Sequence, residues 1–447
     1  MMIKEITLKK GIIGFLTPDG IEKNLVDISS FSMINLYYST KTKKIDLENI
    51  ESEIQLLAGK KHRVILDITS VIAYIAESDK LNGFIEASDG SKHKKIFPAL
   101  RINKIRRIVS DKELHQRLSG FGKFVHHYRN NISAIFLVDE PYLNGIPKDE
   151  LERASRTVKK VLKNEQVENM PIGIIFAAGM FNKQFATYIS RQANDYVLKI
   201  DDYYIKNKAL IDAGADEETA RQFSDWLDII QSKRLTTYDS AGNMYIEGGI
   251  PENIDIVGFD FYLSTLLLDF LYENSLDWFA AENLHLACKQ FVGSHISELR
   301  QQLSFFKDGL VSSGDASRQH DRDLLDSMYE CRMGAILSLL KQEIGKKKQI
   351  ALMLIGESSN NGLIEFDRIG VPEPGQPKLL IESRVLDEIK RSGNYYCRYQ
   401  RKFAAGLMYF TYQGTFDKSV QLNIGGVKNM PSAMSYIEEL SKKGCSY

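Results

Sequence analysis

Ile132-Ser-Ala-Ile-Phe-Leu-Val-Asp-Glu-Pro141 is a continuous apolar run that stops abruptly at two acids and a proline. A strand with one wet face alternates apolar and polar residues. A run without alternation suits a strand buried on both faces of a parallel sheet. Seven more runs of this kind occur: Gly11–Leu16, closed by the turn signal Thr17-Pro-Asp-Gly20, then Phe31–Tyr38, Arg63–Ile68, Pro171–Ala177, Ile254–Phe259, Gln349–Ile355 and Gly406–Tyr412. Helical patterns fit the gaps at Leu47–Leu57, Asp111–Tyr128, Lys148–Asn164 and Glu382–Ser392. The third of these opens after Pro147 with acids in its first turn, as a helix start requires.

Eight buried strands separated by helices predict an α/β fold of the closed (β/α)8 TIM-barrel type, one domain over residues 1–447. An open doubly wound sheet would carry a glycine-rich phosphate turn after its first strand, and Leu16-Thr-Pro-Asp-Gly20 is no such turn. Two connections are long, about 178–253 and 264–348. The first holds an amphipathic stretch, Glu217–Ser232 with Trp226, and a hairpin pattern over Leu235–Ile246. The second is mostly helical, with a polar break at Ser312–Ser317. Both are expected to form a lid or a side subdomain.

The 447 residues carry 58 basic and 58 acidic side chains, so no net charge draws the chain to nucleic acid or to an anionic membrane surface. With 43% hydrophobic and 26% charged residues the composition is that of a globular protein. No apolar run reaches the roughly 18 residues that span a bilayer. The sequence reads as cytoplasmic as it stands, and as secreted or periplasmic if a leader once preceded it. Cys288, Cys331, Cys397 and Cys445 are too far apart for a CxxC pair and read as buried, reduced thiols. His126-His127, His285 and His295 lack an HExxH pattern, and neither a metal nor a cofactor is expected.

Functional side chains in such a barrel gather where the strands end, at the C-terminal face. Reading those ends gives Asp67 on the third strand, Asp139 and Glu140 after the fourth, Asp260 and Tyr262 after the sixth, Glu357 after the seventh, and Tyr409 and Tyr412 on the eighth. Five are carboxylates. Buried carboxylates are costly, and glycoside hydrolysis supplies a reason to gather them: one carboxyl donates a proton to the leaving oxygen and a second attacks or activates water.

These residues carry a resemblance. Val138-Asp-Glu-Pro141 resembles the Asn-Glu-Pro that presents the acid/base in clan A glycoside hydrolases. Ile355-Gly-Glu-Ser358 resembles their Gly-Glu nucleophile, and Phe259-Asp-Phe-Tyr262 is similar to their sixth-strand motif. Leu407-Met-Tyr-Phe-Thr-Tyr412 takes the place of the eighth-strand aromatic that stacks under the sugar. The resemblance covers strand order over about 400 residues. It implies a retaining hydrolase with Glu140 as acid/base, Glu357 as nucleophile and Tyr262 orienting Glu357. Asp67, Asp139, Asp260, Tyr409 and Tyr412 would then bind an oligo- or polysaccharide. The chain departs from the clan in having Asp139 for Asn, no Arg after Asn35 on the second strand, and Tyr for Trp on the eighth. Those departures frame the alternative, a catalytically silent barrel that binds glycan or scaffolds a polysaccharide-related assembly. A lyase or isomerase acting on a sugar acid would want a strand-end Lys or a metal near the mouth.

Overall fold

The computed structural model describes residues 13–57, 59–75, 84–86, 92–94, 106–142, 146–177, 249–260, 350–359, 379–417 and 422–445, with isolated positions between 326 and 344. All eight apolar runs are strands: β1 Ile13–Leu16, β2 Phe31–Asn35, β3 Arg63–Asp67, β4 Ile132–Asp139, β5 Ile172–Ala177, β6 Ile256–Asp260, β7 Ala351–Glu357 and β8 Gly406–Phe410. Each pairs in parallel with its sequence neighbours, and β1 pairs with β8, so the ring closes. The fold is a (β/α)8 barrel.

Two apolar layers explain why the runs do not alternate. One face of the strands fills the lumen with Phe31, Met33, Ile65, Phe136, Ile175, Ile256, Met353, Ile355 and Met408. The other packs on the helices through residues such as Ile34, Leu66, Ile174, Val257, Leu354 and Leu407. Both faces are dry, and each large side chain fully buried contributes about 1.5–3 kcal/mol. The lumen is filled by pairing large with absent side chains. A Cβ on Gly173 would stand 2.6 Å from the Phe136 ring, so that ring crosses the lumen only because β5 carries a glycine there.

The described helices include α1 Lys23–Ile28, α2 Leu47–Leu56, α3 Asp111–Arg117, α4 Phe121–His127, α5 Lys148–Asn164, α6 Leu379–Tyr399 and α7 Pro431–Lys443. The sequence predicts one helix over Asp111–Tyr128; the chain instead breaks at Gly120, which takes a φ of +82° and starts α4 afresh. Glycine adopts that left-handed turn without steric cost, and the apolar period resumes beyond it. α6 exceeds its expected range at both ends. Cys397 on α6 and Cys445 beyond α7 form a disulfide with Cα atoms 4.8 Å apart. This corrects the expectation of reduced thiols. The partners are separated by 48 residues, and only the packing of α7 on α6 brings them together. Cys288, Cys331, the Glu217–Ser232 and Leu235–Ile246 patterns and the polar break lie outside the described residues. No helix among the described residues is long and apolar enough to cross a membrane.

Candidate active site

Strand alternation decides which terminal residues face the mouth. On β7, Met353 and Ile355 lie in the lumen, so Glu357 is the next inward position and stands at the C-terminal rim. The same count from Ile256 reaches Asp260, from Ile65 reaches Asp67, from Met33 reaches Asn35 and from Met408 reaches Phe410. Asp260 and Glu357 are buried.

Glu357 is held by its own chain. Its Oε1 accepts hydrogen bonds from the Ser359 amide at 2.9 Å and the Ser359 hydroxyl at 2.5 Å. The intervening Ser358 ties this turn to β8, its amide donating to Phe410 O at 2.7 Å and its hydroxyl to Thr411 O at 3.2 Å. Gly356 makes room for the outer layer: a Cβ there would meet Ser392 Oγ at 2.8 Å and the Tyr409 ring at 2.9 Å. Asp67 on β3 uses the same device. Its Oδ1 accepts from the Thr69 amide at 2.8 Å and the Thr69 hydroxyl at 2.6 Å. Burial pushes the Asp67 carboxyl above the ordinary aspartate range, against the pull of the Thr69 hydrogen bonds and the charge of Arg106.

The fourth strand ends differently. The β4–β5 register shifts between Phe136 and Asp139, so Asp139 stands opposite Ile175. Its side chain is exposed, and its amide donates to Thr69 Oγ1 at 3.3 Å. Glu140 follows in a left-handed conformation, φ +44°, with its amide bonded to Ile175 O at 2.9 Å. Such a φ is uncommon for a residue with a side chain and here ends the strand abruptly. Glu140 and Glu357 thus leave the same rim of one ring, three strands apart.

The expectation for the two tyrosines is corrected. Tyr409 is fully buried on the outer face of β8, donating its hydroxyl to Ile389 O of α6 at 3.1 Å. Tyr412 also belongs to the outer layer, its ring 5.6 Å from that of Phe15. Neither faces the mouth. The inward aromatic is Phe410, in register with Glu357, because Met408 below it already points into the lumen. Tyr262 lies outside the described residues. Sequence reasoning does not single out Ser359 and Thr69, although the acid-x-Ser/Thr spacing of Glu357-Ser-Ser359 and Asp67-Ile-Thr69 is the signal that could find them. Among the described residues no group of His, Cys, Asp and Glu is disposed to hold a metal ion.

No family model matches the chain, and no curated protein matches its sequence. Among solved structures the chain is similar to an endo-1,4-beta-xylanase of Penicillium canescens, at 9% identity and a TM-score of 0.42, covering 98% of this chain and 96% of that one. It is similar to a glycoside hydrolase family 5 enzyme of Prevotella bryantii B14, at 8% identity and a TM-score of 0.36, covering 97% and 96%. It is also similar to a glucosidase of Croceicoccus marinus, at 8% identity and a TM-score of 0.41; 97% of this chain is covered, and it spans 66% of that chain. The barrel itself stands on the strand order and register of this chain.

Proposed function

We propose that the chain is a retaining glycoside hydrolase acting on an oligo- or polysaccharide. The observation that carries this reading is the pair Glu140 and Glu357, at the C-terminal ends of β4 and β7 on one rim. Glu140 gives its proton to the glycosidic oxygen as the bond to the anomeric carbon breaks. Glu357 attacks that carbon from the other face and forms a glycosyl-enzyme. Glu140, now a carboxylate, takes a proton from water, whose oxygen displaces Glu357 and releases the sugar with its original configuration. This chemistry wants the two carboxyl groups roughly 5–5.5 Å apart. Ser359 restrains the Glu357 carboxylate, and Asp67, Asp139 and Asp260 offer acceptors to sugar hydroxyls.

A panel of nitrophenyl glycosides tests the activity, and NMR of the first-formed anomer tests retention. An activated 2-deoxy-2-fluoro glycoside of the sugar that turns over is expected to label Glu357, located by peptide mass spectrometry. An inverted product, or a label on another residue, overturns the assignment. The second reading, a silent glycan-binding barrel, is favoured by Asp139 where the clan has Asn and by the lack of an Arg after Asn35. Thermal stabilisation by oligosaccharides without any turnover would select it.

A further inference from the structure

Asn35 closes β2 on the same rim, in register with Asp67 across the β2–β3 pair and on the inward side set by Phe31 and Met33. Its Oδ1 is buried and, among the described residues, accepts no hydrogen bond. A buried carbonyl left without a donor has given up its water and gained nothing in return. Three described hydroxyls just beyond the neighbouring strands β1 and β3 donate elsewhere. Thr17 donates to Met33 O at 3.0 Å, Thr69 donates to Asp67 Oδ1 at 2.6 Å, and Ser70 donates to Leu36 O. Among the described residues no donor reaches Asn35 Oδ1, and a ligand hydroxyl in the mouth would supply one. The amide offers an acceptor and two N–H donors side by side, and a hydroxyl is the group that can use both.

We propose that Asn35 is a specificity residue whose amide reads one hydroxyl of a sugar seated in the barrel mouth, with the Asp67 carboxyl beside it. The inference rests on the glycan reading of the mouth but not on hydrolysis. Since β3 adjoins β4, the Asn35–Asp67 corner flanks the Glu140 end of the rim rather than the Glu357 end. Asp67 is suited to this because Thr69 fixes its carboxyl through Oδ1. An apolar residue at position 35 would spare the fold the cost of the orphaned carbonyl, so the amide is kept against stability.

The test uses the nitrophenyl glycoside that the full chain turns over best and its single-deoxy analogues, with Asn35→Leu and Asn35→Ser as variants. Asn35→Leu is expected to melt no lower than the wild type while kcat/KM falls about 10-fold or more, the size of one lost hydrogen bond in a closed site. For one deoxy position only, wild type and variant should become equally poor, since the hydroxyl and its reader are then both missing. Equal losses against every deoxy sugar, or undiminished turnover by Asn35→Leu, would overturn the proposal. If Asn35→Leu does not fold, Asn35→Ser carries the same deoxy comparison, and the same pattern of losses decides it. If the wild type hydrolyses no glycoside, the hydrolase reading fails and the sugars are used as ligands in thermal shift. A stabilisation that Asn35→Leu loses supports the inference, and no stabilisation of the wild type sinks it.

Discussion

The fourth and seventh strands deliver their glutamates to one rim by opposite means. Glu357 ends a regular strand, is buried, and has Oε1 clasped by the amide and hydroxyl of Ser359. Glu140 follows a register shift, sits at φ +44° and is half-buried. The difference matches the work proposed for each. A nucleophile makes a bond to one carbon and gains from a fixed position. An acid that later serves as base exchanges a proton with the leaving group and then with water, and gains from access to both.

Removing each carboxyl gives the sharpest contrast and the largest effect. Glu357→Ala should abolish turnover of every glycoside, because no later group can replace the missing covalent bond. Glu140→Ala should lower kcat about 10²–10⁴-fold on substrates with poor leaving groups and far less on nitrophenyl glycosides, which need little protonation. Azide should restore part of the Glu140→Ala rate as glycosyl azide. A leaving-group dependence that appears for Glu357→Ala instead would exchange the two roles.

The clasp on Glu357 is the next place to press. Ser359→Ala keeps the amide bond to Oε1 and loses the hydroxyl, a hydrogen bond to a charged acceptor worth about 1.5–3 kcal/mol. We expect kcat to fall roughly 10- to 100-fold with KM little changed, and Ser359→Thr to recover most of it. A merely structural serine would lower the melting temperature without this split between kcat and KM.

These contrasts also show where sequence stops informing. The barrel is legible because burial on both faces writes itself as runs without alternation, and all eight runs are strands. The strand-end carboxylates are legible for the same reason: each follows an apolar run. Which eighth-strand aromatic faces the mouth is not, because Leu407 to Tyr412 is apolar or aromatic almost throughout and carries no mark of its phase. Only the lumen position of Met408 fixes Phe410 inward and turns Tyr409 toward α6. The Cys397–Cys445 bond is hidden because helix packing, not spacing, creates it. In sequence Asn35 marks only the place of a missing arginine, since an orphaned carbonyl has no sequence signature.

The regular strand should tolerate crowding least. Gly356→Ala places a methyl 2.8 Å from Ser392 Oγ and 2.9 Å from the Tyr409 ring, closer than carbon atoms approach. Overpacking of this kind costs about 1–3 kcal/mol. Denaturant unfolding should report that loss, with activity falling further than stability because the neighbouring Glu357 is displaced. Tyr409→Leu in the same chain should return part of the stability by opening the space. No recovery would mean that the backbone of β7, rather than the ring, absorbs the clash.

The smallest effect probes the irregular end. In the left-handed conformation of Glu140 a Cβ crowds the backbone by roughly 1–2 kcal/mol, and glycine escapes that cost. Glu140→Gly and Glu140→Ala both lack the carboxyl, so they should share the leaving-group dependence described above. They should differ in stability, with glycine the more stable by about 1 kcal/mol in urea unfolding despite its freer unfolded chain. Equal stability would mean that the backbone leaves φ +44° once the carboxylate is gone. The side chain would then impose the turn, and the strain after β4 would be a consequence of how Glu140 is used rather than of how the strand ends.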